Sequence, residues 1–91
     1  MVELGGNIKL EGFDSIDSSS LIIVKKIVGN YTRKIMDNNQ EYKGLTISLN
    51  NPNDYELKAQ LIIGEKTHNS ESVNNNLFMA LNSVLNDLAS I

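Results

Sequence analysis

Ninety-one residues carry eight basic and eleven acidic side chains, a formal charge of −3, no cysteine and 41% hydrophobic residues. That length predicts a single domain over 1–91 with one small core, and the apolar content argues against wholesale disorder. No disulfide staple or thiolate zinc site is possible, and apolar runs such as LIIV and LII fall far short of the roughly 20 residues that span a bilayer.

The start, MVELGGNIKL, places acid where a signal peptide needs basic charge, so a cytoplasmic protein without membrane association is expected. NIKLEGF (7–13) alternates Ile8 and Leu10 against Lys9 and Glu11, the period of a strand with one buried face. In DSIDSSS, Asp17 or Ser18 is a natural N-cap for a helix running to about Met36. Leu21, Val24, Ile27, Val28, Tyr31 and Ile35 form its apolar arc. Gly29 inside this helix costs about 1 kcal/mol relative to alanine; it either lets the helix lie close to something or is simply tolerated. DNNQEYKG breaks the pattern.

LTISL (45–49) then alternates, with Leu45, Ile47 and Leu49 on one face. NNPND predicts a turn around Pro52. YELKAQLII (55–63) alternates again and turns Tyr55, Leu57, Ala59, Leu61 and Ile63 inward. GEK suits a hairpin connection to THNSESV, a polar strand fit for a sheet edge. In NNNLFMALNSVLNDLASI, Leu77, Phe78, Leu81, Val84, Leu85 and Leu88 make a broad stripe, predicting a helix near 76–90. The thirteen asparagines fall largely in predicted turns and argue against extreme heat adaptation. The order is β-α-β-β-β-α: an α+β two-layer sandwich, with both helices on one face of a four-stranded sheet and the other face open.

IKLEGFDSIDSSSLIIVKKIVGNYTRKI and YELKAQLIIGEKTHNSESVNNNLFMALNSVLNDLASI together resemble the N-terminal domain of ribosome hibernation-promoting factors and ribosome-associated inhibitors. The likeness lies in a strand, an acid and serine cap and a long helix. It continues in a strand, a glycine turn, a polar strand and an aliphatic-aromatic-x-Ala-aliphatic helix opening. The resemblance implies this same fold and binding to the small ribosomal subunit, blocking the mRNA and tRNA channel. It also implies a basic domain with cations along both helices. Here the chain is acidic and its last helix, from Asn76 to Ile91, has no Lys or Arg. The resemblance therefore carries over the fold and no individual site residue, and describes an acidic, archaeal-type variant.

The residues themselves offer one candidate surface. Residues 18–36 contain Lys25, Lys26, Arg33 and Lys34, half of all the basic residues, and no acid. With the apolar arc turned inward, Lys26 and Arg33 point to the opposite side. Asn30 lies near them, and Lys25 and Lys34 flank them. Such a face can take several phosphates, with salt-dependent and sequence-independent affinity for structured RNA. The ordinary reading is a solvated helix face, since Lys and Arg populate any exposed helix and cations favour its C-terminal end. Both readings stand at this point.

Other features carry less. His68 is the only histidine and is expected at the surface of the edge strand. Ser18, Ser19 and Ser20 lack a nucleophile elbow, and helix capping accounts for them. The glycine pair at 5–6 opens neither a P-loop nor a dinucleotide fingerprint. The acids are scattered singly. The open sheet face, with Thr46, Ser48, Glu56, Lys58, Gln60 and Ile62, lacks the aromatics on which single-stranded RNA stacks. No enzymatic activity, cofactor or metal is expected. The favoured reading is a binding protein acting on the ribosome or structured RNA through the first helix. The alternative is a protein–protein module whose acidic surface sets the partner. The oligomeric state is not encoded in any pattern.

Overall fold

The computed structural model describes residues 2–4, 7–50 and 54–90. A short strand β1 (Val2–Leu4) precedes β2 (Ile8–Glu11), which leads through a 3-10 turn (Phe13–Ser15) into helix α1 (Ser18–Asn38). Strands β3 (Tyr42–Asn50), β4 (Glu56–Ile63) and β5 (Lys66–Val73) follow, and then helix α2 (Leu77–Ala89). Sheet order is β1-β2-β3-β4-β5. β2 and β3 are parallel, as α1 crosses over between them; every other pairing is antiparallel.

The predicted β-α-β-β-β-α order is present, with one addition. β1 pairs with β2 in the register Val2↔Leu10 and Leu4↔Ile8, making five strands where four were expected. Three residues are too few for a period to register, and their pairing rests on backbone hydrogen bonds. β3 also starts earlier than LTISL, at Tyr42, with an irregularity in its register to β4 between Tyr42 and Gly44. The expected Pro52 turn and the glycine pair at 5–6 lie outside the described residues.

The alternating residues Ile8, Leu10, Leu45, Ile47, Leu49, Leu57, Ala59 and Leu61 are all buried on one sheet face. Against them pack Val24, Val28 and Ile35 of α1 and Leu77, Ala80, Leu81, Val84, Leu85 and Leu88 of α2. Leu21, Ile27 and Tyr31 are half-buried at the margins of the α1 arc. Thr32 was outside that arc yet is buried, because its hydroxyl donates to the Val28 carbonyl at 2.7 Å and so needs no water.

The edges of the layers depend on polar contacts. On β5 the helix-facing row is His68, Ser70 and Ser72, opposite Leu61, Ala59 and Leu57. Ser70 is buried, and its hydroxyl donates to Asp87 Oδ2 on α2 at 2.8 Å, tying the edge strand to the helix. His68 is half-buried on this row and is not the plain surface residue that the sequence suggests. At the β4–β5 hairpin, Ile63 pairs with Lys66, and Gly64 at φ 60° takes the position that favours glycine in a two-residue turn.

Candidate nucleic-acid interface

Helix α1 begins where Asp17, in extended conformation, accepts the Ser20 backbone N–H at 3.1 Å. Hydrogen bonds from Ser20, first its side chain and then its backbone, hold the Asp17 carboxyl below the ordinary value of 3.8. A carboxyl lowered in the folded state stabilises the fold above its unfolded value, and that contribution is lost as pH falls through the folded one. Thermal melts between about pH 5 and pH 2 should therefore show an acid-sensitive component that Asp17→Asn removes, since asparagine caps without titrating. An unchanged acid limb in Asp17→Asn would show that this cap carries no pH dependence.

From that cap, α1 runs for 21 residues with its apolar arc on the sheet. Lys25, Lys26, Asn30, Arg33 and Lys34 are all exposed. Lys26, Asn30 and Arg33 follow one another at helical spacing of four and three, so they share one outer ridge. Lys34 leans toward α2, its Nζ 5.7 Å from the centroid of the Tyr31 ring, within cation–π range. Lys25 occupies the opposite flank. The four cations thus spread over the exposed half of a helix with no acid between 18 and 36; its one acid, Asp37, follows Arg33 by four residues in the last turn.

The charges of the two layers differ in balance. On the open sheet face, Lys9 and Lys58 are set against Glu11, Glu56 and Glu71. There Ser48 Oγ donates to Glu11 Oε2 at 3.2 Å, and Lys58 lies between Ser48 and Glu71 in register. Of the other acids whose side chains are described, Asp37 lies in the last turn of α1, four residues after Arg33, Asp87 lies on α2, and Asp14, Asp17, Glu41, Asp54 and Glu65 lie around the ends and turns. The acidic total therefore belongs to the sheet face and the periphery, while the outer side of α1 keeps a positive local field.

Two further features escape a one-dimensional reading. A shallow groove between the helices is lined by Tyr31, Met79, Asn82, Ser83 and Asn86, so α2 presents uncharged polar groups beside the cations of α1. Its only signal in the sequence is the spacing of Asn82 and Asn86 on the side of α2 away from the leucine stripe. A wider open groove at the β3–β5 end includes Glu41, Tyr42, Lys43, Glu65, Lys66 and His68. Its formal charges alternate in sign, and burial pushes the Tyr42 hydroxyl above its usual range. Among the described residues there is no cluster of three or more potential metal ligands, and no helix is long and apolar enough to cross a membrane.

No protein-family model matches the chain, and no curated protein matches it by sequence. Solved structures do match it. The N-terminal domain of Protein Y from Thermus thermophilus superposes with a TM-score of 0.65 at 13% identity, covering 91% of this chain and 89% of that one. The chain is similar in fold to the Protein Y N-terminal domain. A ribosomal subunit interface protein from Coxiella burnetii gives a TM-score of 0.58, also at 13% identity, over 92% of this chain and 88% of that one. The fold expected from the hibernation-factor resemblance is therefore present. At 13% identity, the likeness to Protein Y is one of backbone arrangement and assigns no side chain a role.

Proposed function

We propose that this chain is a non-enzymatic cytoplasmic binding protein that associates with the ribosome, at the small subunit, through the basic outer face of α1. The observation that carries this reading is the exposure of Lys25, Lys26, Arg33 and Lys34 on one helix with no acid among residues 18–36. It is supported by the shared fold of the Coxiella protein, described as a ribosomal subunit interface protein. Asn30 adds a hydrogen-bonding group on the same ridge. In this mechanism the cations neutralise RNA phosphates and release counterions, while the acidic sheet face turns away from the RNA. Affinity is then set by salt and backbone geometry rather than by base sequence.

Sedimentation with purified ribosomal subunits over a range of salt concentrations tests this. Wild-type protein should co-sediment at low salt and dissociate as salt rises. Lys26→Gln with Arg33→Gln should leave the melting temperature nearly unchanged, since both side chains are exposed. The double change should flatten the salt dependence by about 0.9 log unit per tenfold salt for each duplex phosphate that is no longer neutralised, up to two. Absence of association at low salt would overturn the proposal in favour of a protein partner.

A further inference from the structure

Gly29 lies in the exposed middle of α1, a position where glycine is among the poorest helix formers. Nothing among the described residues uses it. Its φ is not left-handed: among the described glycines only Gly12 and Gly64 have positive φ. The helix continues unbroken from Ser18 to Asn38, so Gly29 does not end or interrupt it. A Cβ built on Gly29 would meet nothing within 4 Å, so no neighbouring element needs the missing side chain. Beyond simple tolerance, the use left for it is an approach from outside the domain, for which glycine lets another chain reach the backbone.

The surroundings of Gly29 indicate what would approach. Lys26 stands three residues before it and Arg33 four residues after, so both share its exposed side of the helix. Asn30 adjoins it, and no acid lies anywhere from 18 to 36. The exposed apolar residues Ile22 and Met36 lie a full two turns away on either side, beyond the cations. A hydrophobic helix seated on Gly29 would have to desolvate Lys26 and Arg33 without pairing them.

We infer that Gly29 is the point at which an RNA phosphodiester strand lies flush against α1, clasped between Lys26 and Arg33. This rests on the proposed association with ribosomal RNA and locates the strand within that surface. The gap left by the missing side chain lets a phosphate approach the helix closely. The guanidinium of Arg33 and the ammonium of Lys26 then reach it from opposite sides with charge-assisted hydrogen bonds. A side chain at 29 would hold the phosphate away from both.

The test compares Gly29→Ala and Gly29→Leu with wild type in thermal melts and in low-salt binding to isolated small ribosomal subunits. A Cβ at 29 meets no neighbour and both changes improve helix propensity, so both should fold; Gly29→Ala should raise the melting temperature by about 4–8 °C. Gly29→Leu should nevertheless weaken binding about tenfold, the effect of breaking one charge-assisted hydrogen bond. Gln60→Leu, the same side chain on the sheet face, should bind as wild type does. If wild type binds and the Lys26→Gln, Arg33→Gln protein binds less well, but Gly29→Leu matches wild type, this inference fails and the proposed function stands. If wild type does not bind, both fall. Weakening by Gly29→Leu that is insensitive to salt would assign Gly29 to an apolar protein partner and overturn the phosphodiester reading.

Discussion

Leu81→Ala should destabilise the domain by about 2–5 kcal/mol, the range for truncating a fully buried leucine that leaves a cavity. Leu81 is wholly inaccessible, midway along the stripe with which α2 meets β4, β5 and α1. α2 packs on three elements, so it cannot shift to fill the vacated space on one side without pulling away from another. Domains of this size are stable by only about 5–15 kcal/mol in total, so the loss is a large fraction of the whole. The melting temperature should fall by more than about 10 °C, with little change in the denaturant slope if the unfolded state is unaltered. Met79→Ala, on the same helix but 60% exposed, is the control and should stay within about 0.5 kcal/mol of wild type. Equal melting of the two variants would show that the leucine stripe is not the core.

Gly12→Ala should be about as damaging, for a different reason. Gly12 has φ 77°, a conformation that alanine adopts only with strain of roughly 1–3 kcal/mol. Its added Cβ would also fall on the Leu49 carbonyl oxygen of β3, well inside any real contact. That oxygen belongs to backbone flanked by paired neighbours in the sheet, so it cannot move aside as a flexible side chain would. Gly12 is where the chain leaves β2 and turns Phe13 into the core, and Phe13 has no exposed surface at all. Relief of the clash therefore requires displacing either Phe13 or the end of β3. We expect Gly12→Ala to lower the melting temperature by about 10 °C or more. A melt indistinguishable from wild type would show that the turn after β2 relaxes freely. The same chemical change at Gly29 should have the opposite sign, which makes the pair a direct comparison of two glycines in one chain.

The two-layer architecture was legible because its code is local. Ile8 and Leu10, Leu45 to Leu49, and Leu57 to Leu61 alternate with period two, and all of these inward residues are buried. The α2 stripe repeats at helical spacing, and Asp17 and Asn76 cap their helices through hydrogen bonds spanning at most three residues. Such features depend on neighbours in the chain, so spacing alone announces them. The candidate site was legible to the same degree: exposure of Lys25, Lys26, Asn30, Arg33 and Lys34 follows from facing away from the arc of Val24, Val28 and Ile35.

What the sequence by itself determined was thus the two helices and four of the five strands, their inward faces and the concentration of cations on one helix. Tertiary structure alone decided three other things. β1 exists because β2 offers it a backbone edge, and a three-residue segment has too few side chains to declare a period. β5 could be assigned as an edge strand, but its attachment through Ser70 to Asp87 joins residues 17 apart whose polar character predicts exposure. The two glycines are indistinguishable as letters. Gly12 is fixed by Leu49, on a strand reached only after α1 has crossed over, whereas Gly29 has open space where a side chain would stand. Steric demand at a residue is set by whatever the folded chain brings beside it, and that neighbour is absent from the local sequence.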